Sequence, residues 1–179
     1  MDDHLDLHAV PHPDARVRRL GFDLTHPYVE QCWGAMIGPS GVAILRRAPV
    51  LWTAAEPARV PAGELARSLG LGSGTGVHGR FPRALGRLVA FRFAEWVDDG
   101  RGLGIYTEVP PLGPKQVARL PEWCQAAHDR LLGAHLDAIA AGSTTPMTSP
   151  PAAVSITARL DRLQHSTPSP ATALDGLGR

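Results

Sequence analysis

An amphipathic stretch in the middle of the chain, residues 80–91, constrains the fold most. At 100° per residue, as in an α-helix, five apolar residues fall in one arc: Phe81, Ala84, Leu85, Leu88 and Val89. Three arginines, Arg80, Arg83 and Arg87, lie on the opposite side. The pattern predicts a helix over Phe81–Phe91 that packs its apolar face on a core and presents three guanidinium groups to solvent.

The charge around this helix is one-sided. No Asp or Glu occurs between Glu64 and Glu95, and the same stretch contains the arginines Arg67, Arg80, Arg83, Arg87 and Arg92. Like charges one helical turn apart repel each other, and a polyanion would relieve that repulsion. Arginine neutralises phosphates, and its planar fork matches the O6 and N7 acceptors of guanine. The chain contains no Asn, the usual reader of adenine, so we expect readout of guanine or of DNA shape.

The elements around this helix predict its fold. The segment ELARSLG reads as a short helix ended by Gly70, and FAEWV and LGIYTEV alternate as strands around the turn DDGRG. Earlier, two helical stretches meet at Gly38-Pro39-Ser40, and Pro49 is expected to end or bend the second. A last long helix begins at Pro121. Together these predict a mostly α fold with a small β-hairpin, namely a winged helix-turn-helix domain.

Composition divides the chain into three parts. Residues 1–21 are polar and predict a flexible arm, residues 22–141 the winged-helix domain with its long C-terminal helix, and the Pro/Ser/Thr-rich residues 142–179 a disordered tail. Within the tail, Ile156, Leu160 and Leu163 have helical spacing. This spacing favours a transient helix over a short docking helix.

Composition also narrows the class of protein. With 44% hydrophobic and 20% charged residues the chain is typical of a globular protein. Its net charge of +1 does not indicate any particular class of partner. No run of 18 apolar residues exists, and the acidic N-terminus lacks the apolar region of a secretory signal. Cys32 and Cys124 lie far apart, which favours two buried thiols in a reducing compartment. We therefore expect a cytoplasmic protein without a membrane partner.

No catalytic chemistry is predicted. Residues 74–79 match G-x-G-x-x-G, but they follow a helix rather than a strand, which excludes the dinucleotide-binding interpretation. The only Lys, Lys115, is far from any phosphate loop. His4, His8 and His12 would share one side of a helix, but an unstructured arm fits them better than a metal site. We expect no cofactor, no metal and no enzyme, and we interpret the tryptophans as core residues: Trp33, Trp52, Trp96 and Trp123.

The candidate partner is double-stranded DNA. The predicted DNA-binding residues are Arg67, His78, Arg80, Arg83, Arg87 and Arg101. Arg101 lies in the turn of the hairpin, where it would touch a phosphate or enter a minor groove. Asp98 and Asp99 beside it oppose this assignment, since they repel phosphate. The loop Gly70–Gly79 is also longer than the three or four residues usual between such helices.

Three stretches resemble a known group of proteins: HPYVEQCWGAMIGPSGVAILRR, ELARSLGLGSGTGVHGRFPRALGRLVAFRFAEW and EVPPLGPKQVARLP. They are similar to winged-helix proteins of high-GC Gram-positive bacteria and of their mobile elements, over residues 25–122. The resemblance implies a winged-helix fold and DNA binding, with Arg80, Arg83 and Arg87 in the recognition position. The first stretch is also similar to the winged-helix domain of primosomal replication-initiation proteins.

Several functions remain open at this point. The first is a transcriptional regulator that dimerises through residues 121–141 and places two recognition helices in successive major grooves. The second is an assembly protein for replication or for plasmid or phage maintenance. It would use the winged helix for docking and for weak DNA binding, and its tail as a peptide for a protein partner. The third is an interaction domain whose arginine face meets an acidic protein.

Overall fold

Residues 4–72, 76 and 78–142 are described by the computed structural model, in which helices and short strands are mixed along the chain. The strands are β1 (His4–Val10), β2 (Phe22–Asp23), β3 (Ala58–Pro61), β4 (Ala94–Val97), β5 (Gly102–Tyr106) and β6 (Glu108–Val109). The helices are α1 (Ala15–Leu20), α2 (Gly34–Trp52), α3 (Ala62–Ser68), α4 (Arg80–Ala90), α5 (Pro114–Val117) and α6 (Glu122–Ala140). The predicted tail helix lies outside the described residues.

Strand β1 lies inside a four-stranded sheet with the order β3-β1-β5-β4. It runs antiparallel to β3 and parallel to β5. Leu5 and Leu7 are 2% and 1% exposed, because alternate side chains of a strand point to one face and this face packs on the core. The prediction of a flexible arm over residues 1–21 is therefore wrong for residues 4–20.

The chain after β1 is also held in place. The Asp14 side chain caps α1 by accepting a hydrogen bond from the Arg16 N–H at 2.8 Å. Strand β2 then pairs with β6 in a second, two-stranded sheet, and Phe22 is fully buried there. The folded unit therefore includes β1 and α1, and residue 22 is not its boundary.

A break divides α2 into the two predicted stretches. A π-helical turn, Val29–Trp33, leads into α2, and Gly38 leaves helical geometry with φ 78° and ψ 166°. A glycine tolerates this positive φ because it has no Cβ. The helix resumes at Pro39. Proline has no backbone N–H, so it requires no hydrogen-bond acceptor in the first turn of a helix. It then continues through Pro49 to Trp52, so Pro49 does not end it.

The predicted hairpin is present but belongs to a larger sheet. Strands β4 and β5 pair antiparallel, with Val97 opposite Gly102, and the short 3₁₀ turn Asp98–Gly100 connects them. All five residues of β5 are buried, and β5 lies between β1 and β4 in the sheet. The small hairpin of the sequence prediction is thus one side of a four-stranded sheet, and the fold is mixed α/β.

The tryptophans do not all serve the core. Trp33 is 3% exposed and its Nε1–H donates to the Pro110 carbonyl at 2.8 Å, and half-buried Trp52 donates to the Leu7 carbonyl at 3.1 Å. Trp96 and Trp123 are 44% and 64% exposed, so the prediction that they are core residues is wrong. Trp96 lies on the edge strand β4, and Trp123 lies in the first turn of α6; neither position is covered.

Both cysteines are buried, as predicted. Burial raises the pKa of the Cys32 thiol to about 11 and also raises the pKa of Cys124. Because only the thiolate reacts, both thiols are inert near neutral pH.

The last helix is buried at its start and more exposed toward its end. Cys124, Ala127 and His128 are buried in the first half of α6. In the second half, Leu132 and Ile139 are half-buried and Leu136 is 43% exposed.

Candidate nucleic-acid interface

Helix α4 separates its apolar and basic sides as the sequence predicts. The buried side consists of Phe81, Ala84, Leu85 and Leu88. Arg80, Arg83 and Arg87 are all exposed. Phe81, Leu85 and Leu88 are each 0% exposed, so burial of this side fixes the rotation of the helix and thereby the direction of the basic side.

The three arginines of α4 carry uncompensated charge. Within residues 4–72, 76 and 78–142, none of them forms an ion pair, whereas Arg46 pairs with Glu30 at 2.7 Å. The absence of acidic residues between Glu64 and Glu95 explains this, because no local partner is available. Desolvating these charges against an anion therefore breaks no described internal ion pair.

The basic side of α4 faces the break in α2. Arg80, Arg83 and Arg87 line a cleft of about 220 Å³ together with Gly38, Pro39 and Ser40, which we call the arginine cleft. A Cβ placed on Gly38 would lie 3.4 Å from Arg87 Nη1, so the guanidinium of Arg87 lies close above the glycine backbone. The sequence identified Gly38-Pro39-Ser40 only as a helix break, and nothing in their spacing shows that they face α4.

The other predicted binding residues do not line this cleft. Arg67 is exposed on α3, and its Nη2 lies 4.0 Å from the Glu64 carboxylate, which partly offsets its charge. His78 is exposed in the loop before α4. Arg101 is exposed directly after the hairpin turn. Of the predicted residues, the three arginines of α4 line this cleft together.

The end of the hairpin has an unusual backbone. Asp98, Asp99 and Gly100 have positive φ angles of 51°, 54° and 87°. His8 Nε2 lies 3.2 Å from Asp98 Oδ2, so β1 contacts the hairpin end through this pair. Asp98 therefore contacts β1 and also lies in the hairpin turn beside Arg101.

The histidines of the N-terminal segment do not follow a helix. His4 and His8 lie on strand β1, and His12 lies beyond its end, where its N–H donates to Glu108 Oε2 at 3.0 Å. Among the residues that the structure describes, no group of three or more His, Cys, Asp or Glu side chains is arranged to hold a metal ion. Likewise, no helix in that part of the chain is both long and apolar enough to cross a membrane.

A second cavity shares Pro39 with the arginine cleft. It measures about 480 Å³, and its apolar lining includes Val42, Ala43, Pro121 and the exposed Trp123. Exposed tryptophan beside aliphatic side chains is typical of protein contact surfaces. We call this cavity the tryptophan groove.

Comparison with protein-family models, with curated proteins and with solved structures gives no significant match for this chain.

Proposed function

We propose that the protein binds double-stranded DNA as a winged helix-turn-helix protein. Helices α3 and α4 correspond to the two helices of the motif, and the β4–β5 hairpin corresponds to the wing. The additional strand β1, between β3 and β5, ties the N-terminal segment to this core. The observation that carries the proposal is the set of three exposed arginines, without described ion-pair partners, on one side of α4.

The dimensions of α4 fit the major groove. An α-helix with its side chains is about 10–12 Å in diameter. The major groove of B-DNA is about 12 Å wide and accepts one α-helix. Placed there, the arginine face contacts phosphates and guanine edges at the same time, and the released counterions contribute to affinity. The loop before α4 and the hairpin then supply the flanking contacts through His78 and Arg101.

We further propose that the protein is a transcriptional regulator that acts as a dimer in the cytoplasm. The support is the second half of α6, where Leu132, Leu136 and Ile139 leave an apolar side partly open. Pairing of two such helices within residues 121–141 would place two copies of α4 on successive major grooves.

A second candidate is an assembly protein for replication or for plasmid or phage maintenance. The observation that favours it is the tryptophan groove, an apolar surface separate from the arginine face. In this role the protein binds DNA weakly without regard to sequence, and a protein partner occupies the groove.

Selection of bound sites from random duplexes, at two salt concentrations, tests both candidates. An enriched motif is expected for the regulator, because base contacts discriminate by about 1–3 kcal/mol each. Binding without enrichment, lost steeply as salt rises, favours the assembly protein. The absence of any duplex binding at low salt would contradict both and favour an acidic protein as the partner of the arginine face.

A further inference from the structure

The arginine cleft combines positive charge with a restricted shape. Arg80, Arg83 and Arg87 line it from α4, and no acidic residue is among the described residues that surround it. Arginines that only face solvent do not require a cavity beside them. Here the guanidinium groups border a concave space, where a group bound in the cleft contacts more than one of them at once.

The α2 side of the cleft adds hydrogen-bond donors. The hydroxyl of half-buried Ser40 makes no hydrogen bond with any residue in the described part of the chain. Because Gly38 interrupts the helix, α2 begins a new helical segment at Pro39 that continues to Trp52. The start of this segment carries the positive end of its helix dipole and borders the cleft through Pro39 and Ser40.

Arg87 is positioned by the break itself. Its Nη1 would be only 3.4 Å from a Cβ on Gly38, so the guanidinium packs against the bare backbone of the glycine. An anion bound in the cleft therefore meets the forked Arg87 guanidinium on α4 and the Ser40 hydroxyl on α2. This combination suits a tetrahedral oxyanion such as a phosphate group.

We propose that the arginine cleft binds one phosphate group of the DNA backbone, with Arg87 and Ser40 as its main ligands. The proposal rests on the DNA-binding function argued above and refines it. Arg87 then positions α4 on the duplex and contributes affinity for every sequence, whereas Arg80 and Arg83 remain available for other contacts with phosphates and base edges.

Charge placed at Ser40 tests the cleft directly. In the full chain, Ser40→Glu places a carboxylate in the cleft, and Ser40→Gln is the uncharged control of equal size. An acidic side chain in the first turn is favourable for the helix dipole, so the Glu variant is expected to fold. We expect Ser40→Glu to weaken binding to random-sequence duplexes about tenfold or more, because like charges at an interface are strongly unfavourable, and Ser40→Gln to change it less than about threefold. Equal affinities for the two variants would overturn the proposal.

Inorganic phosphate separates this inference from the proposed function. The ¹⁵N-labelled full chain is titrated with sodium phosphate and with sodium chloride at equal ionic strength. We expect phosphate alone to shift the amide signals of Ser40 and Gly41, and we expect Ser40→Glu to abolish this response. Absence of a phosphate-specific shift in the unaltered protein overturns the cleft assignment even if duplexes bind. A shift in a protein that binds no duplex shows a phosphate site but overturns DNA as the source of the phosphate.

Discussion

The Tyr28 hydroxyl lies 2.6 Å from His128 Nδ1 and joins the segment before α2 to α6 across 100 residues of sequence. The Leu112 N–H donates to the same oxygen at 2.9 Å. Tyr28 is 0% exposed, and burial raises its pKa to about 12, so the hydroxyl keeps its proton at neutral pH. Three distant segments therefore meet at one buried oxygen.

Replacing Tyr28 with Phe removes this shared partner. The Leu112 N–H and His128 Nδ1 are then left without it in a buried site, at a cost of about 1–3 kcal/mol in the free energy of unfolding. Urea denaturation measures the change. The matched control is Tyr106→Phe, whose hydroxyl donates to exposed Glu95 at 3.1 Å and should matter less, by about 1 kcal/mol or below. If Tyr28→Phe lowers the free energy of unfolding by no more than Tyr106→Phe does, this account of the buried hydroxyl is contradicted.

Gly102 makes room for the contact between β1 and the hairpin. A Cβ on Gly102 would lie 2.7 Å from Val97 Cγ2 and 3.0 Å from His8 Nε2. Gly102→Ala should therefore destabilise the fold by about 1–3 kcal/mol, as overpacking does. The control is Gly133→Ala in α6, where nothing lies within 4 Å and the gain in helix propensity should stabilise by about 0.5–1 kcal/mol. Thermal unfolding should separate the two alanine variants in opposite directions, and a neutral Gly102→Ala would show that the strands tolerate the added atom.

His26 makes the stability of the protein depend on pH. Burial lowers its pKa from the ordinary 6.5, a charge on His135 lowers it further, and Asp23 acts in the opposite direction. The Tyr28 N–H donates to His26 Nδ1 at 3.1 Å, which also requires that nitrogen to be unprotonated. The His26 ring packs on Phe22, whose other neighbours include the His135 ring.

The unfolded chain thus takes up a proton at His26 more readily than the folded protein does. The contribution of neutral His26 to the free energy of unfolding is complete at pH values above 6.5, its pKa in the unfolded chain. It is lost as the pH falls through the lower pKa that His26 has in the folded protein. We expect the free energy of unfolding to decrease from about pH 8 to about pH 5, and His26→Gln to reduce that slope. Equal slopes for the two proteins, measured by urea denaturation across this range, would exclude His26 as the source.

Local patterns predicted α4 and the hairpin because their signals lie within a few residues. The apolar and basic residues of α4 separate cleanly at helical spacing, and DDG marks the turn before β5. Strand β1 carries a weaker signal. Leu5, Leu7 and Ala9 alternate with polar residues, but the alternation is short and stops at Val10. The partner strands β3 and β5 are about 50 and 100 residues away. A single sequence does not specify such distant pairings.

The sequence predicted only the α4 side of the candidate site. The sequence places Arg80, Arg83 and Arg87 on one face, since helical geometry alone decides that. The arrangement of Gly38 and Ser40 opposite them depends on how α2 packs on α4, which no local rule supplies. The exposure of Trp123 was not predicted for the same reason. A tryptophan in the first turn of a helix is buried only if another segment covers it.

The arginine face should account for the salt dependence of DNA binding. In the double variant Arg83→Ala/Arg87→Ala, loss of two phosphate contacts should lower affinity and make the slope of log affinity against log salt shallower by about 2, at about 0.9 per phosphate. Fluorescence anisotropy with a labelled duplex at several salt concentrations measures both. The control Arg16→Ala/Arg19→Ala removes the same charge from exposed positions on α1, and its slope should remain near that of the unaltered protein. Equal slopes for the two double variants would mean that net charge, and not the face of α4, attracts DNA.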